Sequence, residues 1–303
     1  MSFEPIRLAP APEEKEVYPY RRVWRTASIE VAILLVLCAG LALVERLRHF
    51  AFSANQRTTA SVALALFPLI LWLLISYRGE RRVPSPRTRL LGVTILGFLA
   101  ASAIGIPLVD RVLGVNDWLS TASGLNRILG FTFTTGIVHE FLKYAAVRYS
   151  VWPGAIRIRS DGVAYAMAAG IGYATAININ FVITQNGQFD PAAAALHMTG
   201  VALSQVAISS IMGYLLAELK LTRPSPVFAL PLGLIFAALL SGIYAAVRAG
   251  IIVGGIGTTA TGSNALPSLG VSIFFVLALF SGLNVVISNA DERARLRNQP
   301  ETP

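Results

Sequence analysis

The sequence predicts an all-α protein: a polytopic helical bundle of about eight transmembrane helices with both termini in the cytoplasm. Three observations lead there. Of the 303 residues, 54% are hydrophobic and 14% charged, whereas soluble domains carry roughly a quarter charged residues. The apolar residues gather into runs close to the ~20 residues that a membrane-spanning helix needs. The net charge of +9 comes mostly from arginines flanking those runs, where cytoplasmic Lys and Arg determine topology. The positive charge therefore implies no nucleic-acid partner, and the lipid bilayer is the partner that composition names.

The chain opens with a polar stretch, 1–26, that contains Pro5, Pro10, Pro12 and Glu13-Glu14-Lys15-Glu16. It is too polar to bury much and is expected to be a flexible cytoplasmic tail. The first apolar run, 27–44, is followed by no convincing small-residue cleavage site and reads as a retained span. Cys38, the sole cysteine, lies inside it, has no disulfide partner and is expected to pack as a small hydrophobe. Glu30 lies near the inside end of this run, where water is within reach, so no site is assigned to it. Further runs occur at 59–77, 90–109, 128–149, 162–184, 192–219, 228–247 and 271–288. They are long and lack strict alternation, which favours helices over the strands of a closed barrel. The membrane domain is thus 27–288, and 289–303 forms a second polar tail.

With the N-terminus inside, eighteen Lys and Arg fall on the cytoplasmic side and six on the other, with Lys143 left within the membrane. That bias sets the predicted orientation. The outside loop 248–270 contains Gly254-Gly255-Ile256-Gly257. No strand precedes it and no GK[ST] comes after it, so a phosphate cradle is not supported and a flexible or re-entrant connection is expected.

The fourth run carries the chemistry. Glu140 and Lys143 lie near its centre, three residues apart, with His139 four before Lys143, so all three can share one helix face. Ionised side chains at such depth are costly unless paired or hydrated, and they mark functional sites by default. A Glu–Lys pair that only fixes packing is the alternative. On the fifth run, Gly162, Ala166, Gly170, Ala174 and Ala164, Ala168, Gly172, Ala176 form two rows of small residues for close helix packing. Asn178 and Asn180 lie near its outside end, and Asn178 is a candidate site residue.

On the sixth run, His197 stands near the outside face, Ser204 and Gln205 near mid-membrane, and Ser209, Ser210 and Tyr214 further inward. Glu140 and Gln205 each lie about twelve residues from the outside end, so at about 1.5 Å per residue they share a depth and could face one cavity. Ordinary interhelical hydrogen bonding is the competing account for Gln205 and the serines, and packing is the expectation for Ser241 and Tyr244. His139-Glu140 matches the first half of HExxH, but Lys143 stands where the second histidine belongs, so that zinc motif fails. His139 or Glu140 with His197 leaves no obvious third ligand. A Ser–Lys dyad through Lys143 is chemically open.

The order of these motifs resembles the PrsW family of intramembrane proteases over about 130–247. His139-Glu140-Phe141-Leu142-Lys143 is similar to that family's EExxK, and Asp161-Gly162-Val163-Ala164-Tyr165 to its DGxxYG. Gly170-Ile171-Gly172-Tyr173 and Ile177-Asn178 resemble its GxGF and EN elements. Gly213-Tyr214 closes the sixth run, and Ser241-Gly242-Ile243-Tyr244 stands in place of an HxxY element. The departures fall on polar positions: His139 for the first glutamate, Ile177 for the glutamate of EN, and Gln205 and Ser241 for two histidines.

The resemblance implies a peptidase that cleaves a regulatory single-span protein, such as an anti-sigma factor, in or near a bacterial cytoplasmic (inner) membrane. Glu140 would activate water, Lys143 would be its charge partner, and His139, Asn178, His197 or Gln205 would hold water or the scissile carbonyl. A divalent metal is the cofactor that the family suggests, but the missing partner ligands argue against a strong metal site. A catalytically inactive relative that binds and regulates a transmembrane partner is the alternative, and a small transporter component a further one. Composition does not determine the oligomeric state.

Overall fold

The computed structural model describes residues 23–48, 53–81, 86–119, 122–185, 191–222, 228–253 and 265–297. Most of these residues are helical, and there is no strand among them. The first helix, α1, is Val23–Arg48, and α2 is Ala54–Glu80. Ser53 starts α2 with a reciprocal cap in which Ser53 N donates to Gln56 Oε1 at 3.0 Å and Gln56 N to Ser53 Oγ at 3.4 Å, satisfying groups that a helix start leaves unpaired. The third helix, α3, is Leu90–Val112 and contains π-helical turns at Ala101–Gly105 and Leu108–Val112. A short α4, Val115–Leu119, leads into α5, residues 124–150, built from Gly124–Phe131, a π turn at Thr132–Gly136, and Ile137–Ser150. Then come α6 (Arg159–Gln185), α7 (Pro191–Leu221), α8 (Ala229–Val253) and α9 (Ala265–Arg297).

Six of these helices are long and apolar enough to cross a membrane: α2, α3, α6, α7, α8 and α9. The apolar part of α1, Ser28–Val44, is shorter, and α5 is interrupted by its charged residues. This is an integral membrane protein. Residues 1–22 of the tail expected over 1–26 and the glycine-rich segment 254–257 lie outside the described residues, and 23–26 belong to α1.

At the centre stand α6 and α7, whose apolar windows are 72% and 94% buried, against 17–39% for the other four. Small residues make this possible. A Cβ on Gly162 would come within 2.2 Å of Gly213 O, and one on Gly213 within 2.3 Å of Gly162 O, so the α6 and α7 backbones touch there. Higher up, a Cβ on Gly170 would lie 2.9 Å from Gln205 O. The other face of α6 receives α3: a Cβ on Gly172 would meet Thr94 O at 2.0 Å, and one on Gly97 would meet Ala169 O at 2.3 Å. Lipid tails are as apolar as leucine, so such close approach, and not escape from water, drives the association. Outer helices leave Val36, Leu74, Phe133, Leu232, Phe274 and Leu277 exposed, as a lipid-facing surface requires.

One end of α6 is tied down by a buried ionic knot. Asp161, fully buried, accepts from Arg87 Nε at 2.9 Å through Oδ1, and from Arg157 N at 2.9 Å and Ile158 N at 3.3 Å through Oδ2. Arg87 also donates to Glu80 at 2.9 Å, which joins α2 and the residues before α3 to the start of α6. Nearby, Arg159 pairs with Glu218 at 2.6 Å, and Lys220 donates to the carbonyls of Pro153 and Ile156.

Glu30 departs from its sequence reading. It is only 7% exposed and lines a small crevice with Leu34, Met167, Ile171, Ala202 and Val276. The packing of α1 against the central pair closes off the water that its position along the chain suggested.

Candidate active site

His139, Glu140, Lys143 and Val147 form the buried stripe of α5, at the three- and four-residue spacing of one helix face. The π turn Thr132–Gly136 immediately precedes it. A π turn adds a residue to the helical circuit and rotates the next helical segment by about 100°. The turn sits where α8 crosses closely: a Cβ on Gly136 would lie 2.4 Å from Ala238 O, and one on Gly242 would lie 2.1 Å from Thr132 Oγ1. Past this crossing, the polar stripe faces α6 and α7.

There Lys143 Nζ donates to Glu140 Oε1 at 2.7 Å and to Gln205 Oε1 at 2.7 Å. The Glu140 and Lys143 side chains are 0% and 2% exposed. Two charges so far from water persist only when paired and hydrogen-bonded. Gln205 is held at the right height by the Gly170 contact and by Ser209 Oγ, which donates to Gln205 O at 2.5 Å. The structure thus brings Glu140, Lys143 and Gln205 into one contact.

Tyr173 completes the surroundings. Its ring centroid is 4.9 Å from that of His139, and Lys143 Nζ lies 5.7 Å from it. The tyrosine fits because Gly105 has no side chain: a Cβ there would stand 2.0 Å from the Tyr173 hydroxyl. Sequence reasoning took Gly170-Ile171-Gly172-Tyr173 as a packing element and missed this role. The available signal was a hydroxyl-bearing Tyr where the similar motif has Phe.

Three buried polar atoms beside this contact have no hydrogen-bond partner, Glu140 Oε2, His139 Nδ1 and Tyr173 Oη, and neither has Asn178 Oδ1 further along α6. Unsatisfied buried groups are rare in folded proteins and need a reason. Asn178 lies apart from the Lys143 contact, its Nδ2 donating to Met198 O at 3.2 Å. Met198 precedes Gln205 by seven residues, about 10 Å along the helix. His197 is in that same region, stacked on Phe181 with centroids 4.0 Å apart.

The hydroxyls of Ser204, Ser209 and Ser210 each donate to a carbonyl of their own helix, Lys143 makes its contacts with Glu140 and Gln205, and no Ser–Lys dyad is formed among the described residues. Ser241 is buried on α8. Tyr244, three residues on, hydrogen-bonds Ser272 Oγ at 2.8 Å and donates to Gly200 O at 3.3 Å. Among the described residues, no three His, Cys, Asp or Glu side chains are grouped so as to hold a metal ion.

Neither the curated proteins nor the solved structures compared with this chain contain a match. The family comparison is positive: residues 85–280, more than half of the chain, match the model of the PrsW family intramembrane metalloproteases. The match extends beyond the motif-bearing helices to take in α3 and the first half of α9. With the motif order, the helical membrane bundle and this match in agreement, the chain belongs to the PrsW family.

Proposed function

We propose that this chain is an intramembrane peptidase that cleaves a membrane-anchored regulatory protein, with Glu140 as the carboxylate that activates water. The observation that carries the reading is the division of labour at Glu140: one oxygen holds Lys143, while the other is buried, unbonded and thus free to take a proton. In the reaction, Glu140 Oε2 removes a proton from water as the water oxygen attacks the scissile carbonyl carbon. The carbonyl oxygen gains negative charge, and Lys143, with three N–H donors and two engaged, has one left to stabilise it. Glu140 then returns the proton to the departing amine nitrogen, and the C–N bond breaks. His139 and Gln205 orient the water and the ammonium, and Asn178 holds substrate backbone about two helical turns away. The apolar runs and the arginine bias support about eight spans with both termini in the cytoplasm, and the family resemblance supports a bacterial inner membrane.

The metal that the family description implies does not fit the residues of this site. His139 Nδ1 and Glu140 Oε2 are the free donors, a third is missing among the described residues, and a catalytic zinc is ordinarily held by three. No step is therefore routed through a metal.

The test is cleavage of mixed-sequence single-span peptides co-reconstituted with the protein in liposomes, read by mass spectrometry. Glu140→Gln should sharply lower the yield of product, and unchanged cleavage in that variant would remove Glu140 as the base. The reduced donor set favours a second reading, an inactive relative that captures a transmembrane partner. On that reading the wild type yields no product, while peptide capture survives Glu140→Gln.

A further inference from the structure

The family description and the donor set disagree, and the disagreement centres on Gln205, which stands where the family carries a histidine and here accepts a hydrogen bond from Lys143. A carboxylate oxygen and an amide oxygen from different helices, Glu140 Oε1 and Gln205 Oε1, converge on Nζ at 2.7 Å each. Such short contacts are those of a charge-assisted hydrogen bond. The ammonium also lies 5.7 Å from the centroid of the Tyr173 ring. Two oxygens from different helices thus hold one cation, with an aromatic ring nearby.

Charge makes the arrangement exclusive. Glu140 and Lys143 sum to zero, and both are buried. A divalent ion placed on Glu140 would leave the buried group with two uncompensated positive charges, within a few ångströms of an ammonium, where low dielectric makes like charges repel strongly. Gln205, being neutral, cannot offset it.

We propose that the Lys143 ammonium is the resident cation of this site, held by Glu140 and Gln205 where a metal ion would otherwise bind, so that this member of the family works without a divalent metal at Glu140. The inference rests on Glu140 belonging to the reacting site, as proposed above.

Metal content tests it without any activity. The protein, purified with a histidine-free tag and exposed to zinc before desalting, is compared with Glu140→Gln by elemental analysis, and melting is monitored with and without zinc. The expected result is no zinc that depends on Glu140 and no zinc-induced rise in the melting temperature of the wild type. About one equivalent of Glu140-dependent zinc, with the stabilisation that ligand binding to the folded state brings, overturns the proposal. Lys143→His removes the ammonium and places an imidazole four residues after His139, completing HExxH. That variant should gain zinc and a raised melting temperature, and a folded Lys143→His protein that stays metal-free also overturns the proposal. The wild-type measurement decides even if that variant fails to fold. Zinc-dependent cleavage would sink the ammonium assignment and leave the peptidase reading standing, whereas a metal-free protein that cleaves nothing would do the reverse.

Discussion

Lys143 on α5 and Gln205 on α7 are joined by a 2.7 Å hydrogen bond across 62 residues of sequence, and that bond makes Glu140 part of an interhelical site instead of a property of one helix. Removing the ammonium leaves the Glu140 carboxylate buried with no partner. Lys143→Met is therefore expected to destabilise the fold by about 3–5 kcal/mol, the cost of breaking a buried pair. Glu140→Gln combined with Lys143→Met should cost less than Lys143→Met alone, because no charge is then left uncompensated. Unfolding in mixed micelles, tracked by the loss of helical signal, measures both. Additive effects would show that the two side chains are not coupled.

On activity, Glu140→Gln should lower the cleavage rate by about 10²–10⁴-fold, the usual contribution of a positioned acid–base group. Gln205→Leu keeps the volume but removes one of the two acceptors of Lys143. It should slow cleavage with a smaller loss of stability than Lys143→Met. Cleavage rates at saturating peptide, alongside melting temperatures, separate the two effects.

Gly105 and Tyr173 make a packing prediction. Gly105→Ala puts a methyl group within 2.0 Å of the Tyr173 hydroxyl, and overpacking of this kind costs about 1–3 kcal/mol. The displaced ring is the one that His139 packs against, so cleavage should fall as well. Adding Tyr173→Phe removes the colliding oxygen and should recover part of the stability, which a thermal melt of the three proteins would reveal. No recovery would mean that the hydroxyl is not the obstacle.

Asp161 is expected to be structural. Asp161→Ala removes one of the two carboxylates that Arg87 holds at 2.9 Å, and the oxygen that accepts from the N–H groups of Arg157 and Ile158. The loss should be about 3–5 kcal/mol, as for other broken buried pairs. The yield of folded protein from membranes is the readout, with no selective effect on the cleavage rate of the protein that does fold.

Glu30 gives the opposite sign. No hydrogen bond or ion pair to its side chain is present among the described residues, and its neighbours are apolar. Burying an unpaired polar group costs about 1–3 kcal/mol by mutational measures. Glu30→Leu should therefore raise the melting temperature, and a lowered one would show that the carboxyl has a stabilising partner.

Much of this was legible along the chain. Runs of apolar residues near twenty long specify membrane helices, because an unpaired backbone cannot be left in hydrocarbon. The three-residue spacing of Glu140 and Lys143 placed both on one face, and equal distances from the helix ends put Glu140 and Gln205 at one depth. The glycine and alanine rows marked α6 as a close-packing helix, since small residues are the means by which membrane helices approach. These are local properties, fixed by composition and period.

Other features depended on which helix lies beside which. Spacing could not say that one small-residue face of α6 takes α7 while the other takes α3, nor that α1 seals Glu30 from water. It could not show that the π turn at Thr132–Gly136 forms where α8 crosses, or that Tyr173 fills the space left by Gly105. In sequence Lys143 had Glu140 or a serine of α7 as possible partners, and Gln205 was placed only at the depth of Glu140. Only the assembled bundle decided, because the serine hydroxyls bond within their own helix while the Gln205 amide has no such local partner and reaches across to the ammonium.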